Sequence, residues 1–132
     1  MAWLLKTEPG SYSYDDLERD GRAVWDGVTN PVALKNLKSM GEGDRVFVYH
    51  TGDEKQVVGE ARVTRTAYPD PKAPRLSVVD LQAVRRLPKP VTLAELKADD
   101  TFAESPLVRQ GRLSVVPLTE AQERVIEKRA GH

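Results

Sequence analysis

Helix-start signals recur at short intervals along this chain, each boxed in by strand-like apolar runs, so every helix it forms must be short. Ser13 precedes Tyr14-Asp15-Asp16-Leu17, a side-chain cap followed by acids that suit the positive end of a helix dipole. Asn30-Pro31 is a sharper signal. Asparagine accepts the free amides, and proline at the first helical position lacks an N–H that had no partner there. Ala33, Leu34, Leu37 and Met40 then keep helical spacing until Gly41, as Gly21 ends the earlier helix. Thr92-Leu-Ala-Glu95 and Thr119-Glu-Ala-Gln122 are capping boxes, the second opening a helix that runs to about Arg129.

Strands fill the intervals. Residues 2–7 form an apolar run halted by Pro9-Gly10 and read as a buried strand. Residues 45–50 and 57–66 flank Gly52-Asp53-Glu54-Lys55, which predicts a hairpin. Residues 68–74 read as a stiff loop, because Pro69, Pro71 and Pro74 withhold ladder donors. In 76–87, Val79, Leu81 and Ala83 alternate with Asp80, Gln82 and other polar groups, a long strand. Residues 107–110 and 113–118 bracket Gly111, and the second of these is a strand. No repeat, linker or low-complexity tract divides the chain, and its elements lack a regular βαβ rhythm. The expectation is one α+β domain over residues 1–132, a small mixed β-barrel or curved sheet of about five or six strands with three or four short peripheral helices.

Twenty basic and 20 acidic side chains cancel, so no net field draws the protein onto nucleic acid. Any such binding must come from a local patch or a shaped pocket. Cysteine is absent, which removes disulfides, thiolate chemistry and cysteine-ligated zinc or iron–sulfur centres. Two histidines, His50 and His132, do not make a histidine-rich metal site, and no metal or cofactor is expected. The N-terminal apolar run is too short for a signal peptide, and no stretch approaches the roughly 20 apolar residues that cross a bilayer. A cytoplasmic protein, or a nuclear one in a eukaryote, without a membrane partner is the expectation.

Longer blocks of sequence carry a family resemblance. Trp3-Leu4-Leu5-Lys6-Thr7-Glu8-Pro9 with Tyr12-Ser13, then Trp25-Asp26-Gly27-Val28-x-Asn30, resemble the first two signatures of the EVE domain family. Gly43-Asp44-x-Val46-Phe47-x-Tyr49-His50, Val58-Gly59-x-Ala61 and Tyr68-Pro69-Asp70-Pro71 follow in the family's order. Leu107-Val108-Arg109-Gln110-x-Arg112-Leu113-Ser114-Val115 closes the set. The resemblance spans nearly the whole chain and implies a PUA-like barrel related to the YTH domains. It further implies a reader of modified bases in DNA or RNA, such as methylated or hydroxymethylated cytosine. This chain departs from the family at Thr29, Pro31 and Val32, where relatives usually carry arginine, tyrosine and glutamine. It departs again at Thr51 and Gly111, where serine is usual.

A base reader needs an aromatic face for stacking, polar groups for the base edge, and room for an unstacked base. Trp25 is the stacking candidate, since it lies in a polar, turn-like stretch rather than an apolar run; an edge-packed plug of the barrel is the alternative. Asn30 offers donor and acceptor to a base edge, but its helix cap competes for the same side chain. Lys6, Thr7 and Glu8 end a buried strand where its side chains reach an opening, and Ser11 and Tyr12 follow at the implied rim; an ion pair and local capping are the alternatives. Tyr49 and His50 end a second strand, as a pocket wall or as satisfied structural residues. Arg109, Gln110 and Arg112 suit phosphate or base contacts, or a solvated strand edge. Arg85, Arg86 and Lys89 read as a solvated surface, and Pro69-Asp70-Pro71 as a plain turn.

Three function classes remain open at this level. Binding of a modified nucleobase without catalysis is the leading expectation. A small RNA- or nucleotide-acting hydrolase would need Lys6, Glu8 and His50 to converge, yet no nucleophile elbow, phosphate loop or metal-ligand spacing supports it. A protein-interaction module would need an exposed apolar or strand-edge surface, and the apolar segments read instead as core.

Overall fold

The structure, a computed structural model, describes residues 1–131; His132 lies outside them. Six strands form one mixed sheet: β1 (Ala2–Thr7), β2 (Arg22–Trp25), β3 (Arg45–His50), β4 (Gln56–Asp70), β5 (Ala73–Thr92) and β6 (Val115–Leu118). Their spatial order is β2-β5-β4-β3-β1-β6. β1 lies parallel to β3, with Trp3 opposite Val46 and Thr7 opposite His50; the other pairings are antiparallel. Ala2 to Leu5 and Val46 to His50 are buried without alternation, as strands covered on both faces must be.

Five helices pack around this sheet: α1 (Tyr14–Asp20), α2 (Pro31–Lys38), α3 (Leu93–Lys97), α4 (Pro106–Arg109) and α5 (Glu120–Ala130), with a 3-10 turn over Asp100–Phe102. Each expected cap is present. Ser13, Thr92 and Thr119 close reciprocal capping boxes with Asp16, Glu95 and Gln122, and Asn30 accepts the Val32 and Ala33 amides.

The strands differ from the sequence expectation in three places. The stiff loop at 68–74 is instead the tip of a long β4–β5 hairpin that turns at Pro71 and Lys72, with Pro69 opposite Ser77 and Asp70 opposite Ala73. The hairpin tolerates its prolines because the ladder is broken by bulges. Val57 faces Val91 while Gly59 faces Arg86, so Leu87, Pro88, Lys89 and Pro90 bow out opposite Val58 alone. β2 is an additional edge strand, and Trp25 is its last residue rather than part of a loop. Residues 106–109, with Arg109, form a short helix and not a strand edge, since Ser105 caps it and Pro106 suits its first turn.

Asp44, just before β3, ties the β1–β3 pair together. Its Oδ2 accepts the Gly41 amide at 2.8 Å and the Trp3 indole N–H at 2.9 Å. Partial burial pulls this carboxyl upward, but the two donors hold it below the usual carboxylate value. A depressed folded-state pKa contributes stability that is present above the unfolded value of about 3.9 and is lost as pH falls through the folded value. Asp44→Asn should therefore lower the urea midpoint at pH 7, and the gap to the wild type should narrow below about pH 4. An unchanged gap at pH 3 would refute the charge-based account.

Candidate functional site

The sheet curls so that its two ends approach each other. β2 on one side, and the C-terminal end of β1 with Ser114 on the other, line a single cleft of 640 Å³. That size falls within the range of about 300–1,000 Å³ typical of small-molecule pockets.

Local structure builds the cleft walls. β1 stays apolar to Leu5, then passes to half-buried Lys6 and Thr7 and to exposed Glu8. The Ser11 and Tyr12 amides donate to the Glu8 carbonyl at 2.9 and 3.0 Å, and Thr7 Oγ1 donates to the Tyr12 carbonyl at 2.6 Å. This tight turn returns Ser11 and Tyr12 to the cleft opened by β1. Tyr12 Oη donates to Asp20 at 2.9 Å, and burial followed by this bond pushes the phenol up to about 12, so it stays a neutral donor at physiological pH.

Trp25 is only 8% exposed, held opposite Val79 at the end of β2. Its ring meets Tyr12 edge-on, with centroids 6.2 Å apart and planes at 84°. The two rings make a perpendicular aromatic corner in the cleft. Gly27 then turns the chain at φ 78°, a backbone conformation open to glycine. The charged lining groups are Lys6 and Arg22 against Glu8, Asp20 and Asp26, so the cleft carries no excess of positive charge to attract phosphate. The side chains of Glu8, Arg22 and Asp26 have no hydrogen-bond or ion-pair partner among the described residues.

Of the residues singled out from sequence, Lys6, Thr7, Glu8, Ser11, Tyr12 and Trp25 line this cleft. The other six do not. Asn30 Oδ1 is engaged by the Val32 and Ala33 amides at 2.9 and 3.0 Å, which makes it the cap of α2. Tyr49 is buried beneath Lys6, whose ammonium lies 5.6 Å from the ring centre, and faces a second, smaller cavity. His50 Nε2 accepts the Tyr14 amide at 2.9 Å, so Nδ1 carries the proton and donates to Glu54 at 3.0 Å. Lys6, Glu8 and His50 thus do not converge. Arg109 donates to the Ala103 carbonyl at 3.2 Å and to Glu104 at 2.9 Å, Gln110 caps α4, and Arg112 is exposed. Arg86 is paired with Asp15 and Glu18, and Arg85 lies 3.6 Å from Glu60.

Sequence reading missed Asp20, Arg22, Ala23, Val24, Asp26, Gly27, Val28 and Ser114 in the lining. A signal for the β2 stretch existed, since Ala23-Val24-Trp25 is a short apolar run with strand-favouring Val and Trp soon after Gly21. For Ser114 there was none, because only sheet curvature carries it to the cleft.

A six-stranded mixed sheet with short capping helices and a cleft between its ends defines a PUA-like α+β domain. The EVE domain model matches residues 1–129, and the chain belongs to the EVE domain family. Human thymocyte nuclear protein 1 is 30% identical over 156 aligned residues, covering 91% of this chain and 69% of the human protein. A Rhodopseudomonas palustris protein solved by NMR superposes with a TM-score of 0.92 at 38% identity, covering 98% of this chain and 92% of that one. The crystal structure of human thymocyte nuclear protein 1 in complex with DNA containing 5-methylcytosine superposes with a TM-score of 0.88 at 27% identity, covering 99% of this chain and 98% of the human one. Among the described residues no helix is long and apolar enough to cross a membrane, and no group of three or more metal-ligating side chains is assembled.

Proposed function

We propose that this chain binds a modified nucleobase of a nucleic acid strand in the cleft between β1 and β2, without converting it. The aromatic corner of Trp25 and Tyr12 carries this reading, because it pairs a stacking face with a perpendicular wall in a space that suits a small planar ligand. The carboxylates of Glu8 and Asp26 supply unengaged acceptors, the groups that match the exocyclic amino donor of cytosine. Ala23, Val24 and Val28 offer apolar surface to an added methyl group. The crystallisation of the human relative with 5-methylcytosine DNA supports the same ligand class.

The test is a fluorescence-anisotropy titration of DNA and RNA oligonucleotides carrying cytosine, methylcytosine, hydroxymethylcytosine, adenine or methyladenine at one position. The expected result is preference for one modified base, with the oligonucleotide recovered intact. Trp25→Leu, which keeps apolar bulk but removes the stacking face, should weaken that complex roughly 5- to 150-fold, the equivalent of one base stack. Binding that ignores the modification in every oligonucleotide would overturn the reading, and a released product would replace it with catalysis.

A further inference from the structure

Beside the cleft lies a cavity of 190 Å³ whose charge is of one sign. Lys6, Lys55 and Lys97 line it and no carboxylate does, whereas the neighbouring cleft has three acids against two bases. We propose that this smaller cavity is a phosphate site, and that it holds the backbone of the strand whose base enters the cleft. The inference deepens the base-binding reading above and rests on it for the strand's placement.

Lys6 joins the two spaces, since it lines both. Its ammonium donates to the Gly111 carbonyl at 2.8 Å and sits over the Tyr49 ring, which fixes the head group and leaves two of its three N–H donors free. Lys55 and Lys97 have no ion-pair partner among the described residues, in a protein where many other cations are paired.

Backbone geometry supports the same site. Lys55 adopts φ 47°, the sole non-glycine residue with positive φ among those described, and its carbonyl accepts the Leu93 amide at 2.8 Å. A non-glycine residue whose backbone is held in that sparsely populated region marks a loop whose surroundings impose its conformation, a feature that clusters at functional sites. Gly52, at φ 75°, and Thr51 complete the rim above an apolar floor of Leu93, Leu107 and Val108. The division of labour is electrostatic: an uncharged base edge enters the mixed-charge cleft, and the anionic phosphate enters the all-cationic cavity.

Phosphate contacts release counterions, so the slope of log K against log salt counts them, at roughly 0.7–0.9 per contact. The experiment measures that slope with modified and unmodified oligonucleotides for the wild type, for Lys55→Gln/Lys97→Gln, and for Lys35→Gln/Lys38→Gln, an equal charge change on exposed α2. Titration of the free modified nucleoside, which has no phosphate, runs in parallel. Lys55→Gln/Lys97→Gln should flatten the slope by roughly 1.4–1.8 while nucleoside affinity holds, and the α2 pair should leave the slope in place. A slope unchanged in Lys55→Gln/Lys97→Gln, or flattened equally by the α2 pair, overturns the phosphate site even if base preference is intact. Conversely, loss of slope in a protein indifferent to the base modification would uphold the phosphate site and remove the base-binding reading.

Discussion

Arg45→Ala should lower the folding free energy by about 3 kcal/mol, the low end for breaking a buried ion pair. Arg45 leaves β3 toward three carboxylates: Glu60 on β4 at 2.9 Å, Glu123 on α5 at 3.0 Å, and Glu127 on the same helix. Burial opposes its charge, yet these partners hold the guanidinium above its ordinary value. Its cation also covers Phe47, 4.6 Å from the ring centre. Removing it leaves three partly buried acids facing one another, and the penalty is the uncompensated charge more than the lost attraction. The low end applies because the Glu127 side chain is 36% exposed, where solvent screens part of the interaction. Urea unfolding of wild type, Arg45→Ala and Arg45→Met at pH 7 checks this. Both variants should show the deficit, and recovery of wild-type stability in Arg45→Met would show that packing, not charge, dominates.

Gly59→Ala should be comparably damaging, costing about 3 kcal/mol, the upper part of the range for overpacking a filled core. A Cβ at Gly59 would fall on the ring of Tyr14, the first residue of α1. That ring cannot swing aside. It is fully buried, its hydroxyl donates to the Glu60 carbonyl at 2.7 Å, and its amide donates to His50. The strain should reach the cleft as well, because only Ser13 separates Tyr14 from the 8–12 turn that brings Ser11 and Tyr12 to the rim. A thermal midpoint near the wild-type value would show that α1 can shift at little cost.

Much of this was legible in the sequence, for reasons that are local. The caps at Ser13, Asn30, Thr92 and Thr119 work through bonds spanning two or three residues, so their chemistry is complete in the sequence itself. The apolar run of β1 announced a buried strand and residues 45–50 a hairpin strand, both of which are present. The family was legible too, from blocks spread along the chain. Of the six candidates that line the cleft, five came from one strand end, at Lys6 to Glu8, or the turn after it, and Trp25 came from its polar surroundings.

Tertiary structure decided the rest. Whether prolines end a strand depends on whether the ladder needs their donors, and the bulges of β4 and β5 remove that need. Asn30 and His50 are polar groups whose chemistry suits a ligand, but nearby backbone amides engage their acceptors first. No local pattern reveals that competition for His50, because Tyr14 lies 36 residues away. The cleft itself exists only because the bulged, twisted sheet bends β2 toward β1 and Ser114. Capping, periodicity and family were thus determined by sequence alone, since their causes lie within a few residues or are written in the blocks themselves. Site membership was determined by sheet curvature, which sums small twists over six strands and has no signature at any one position.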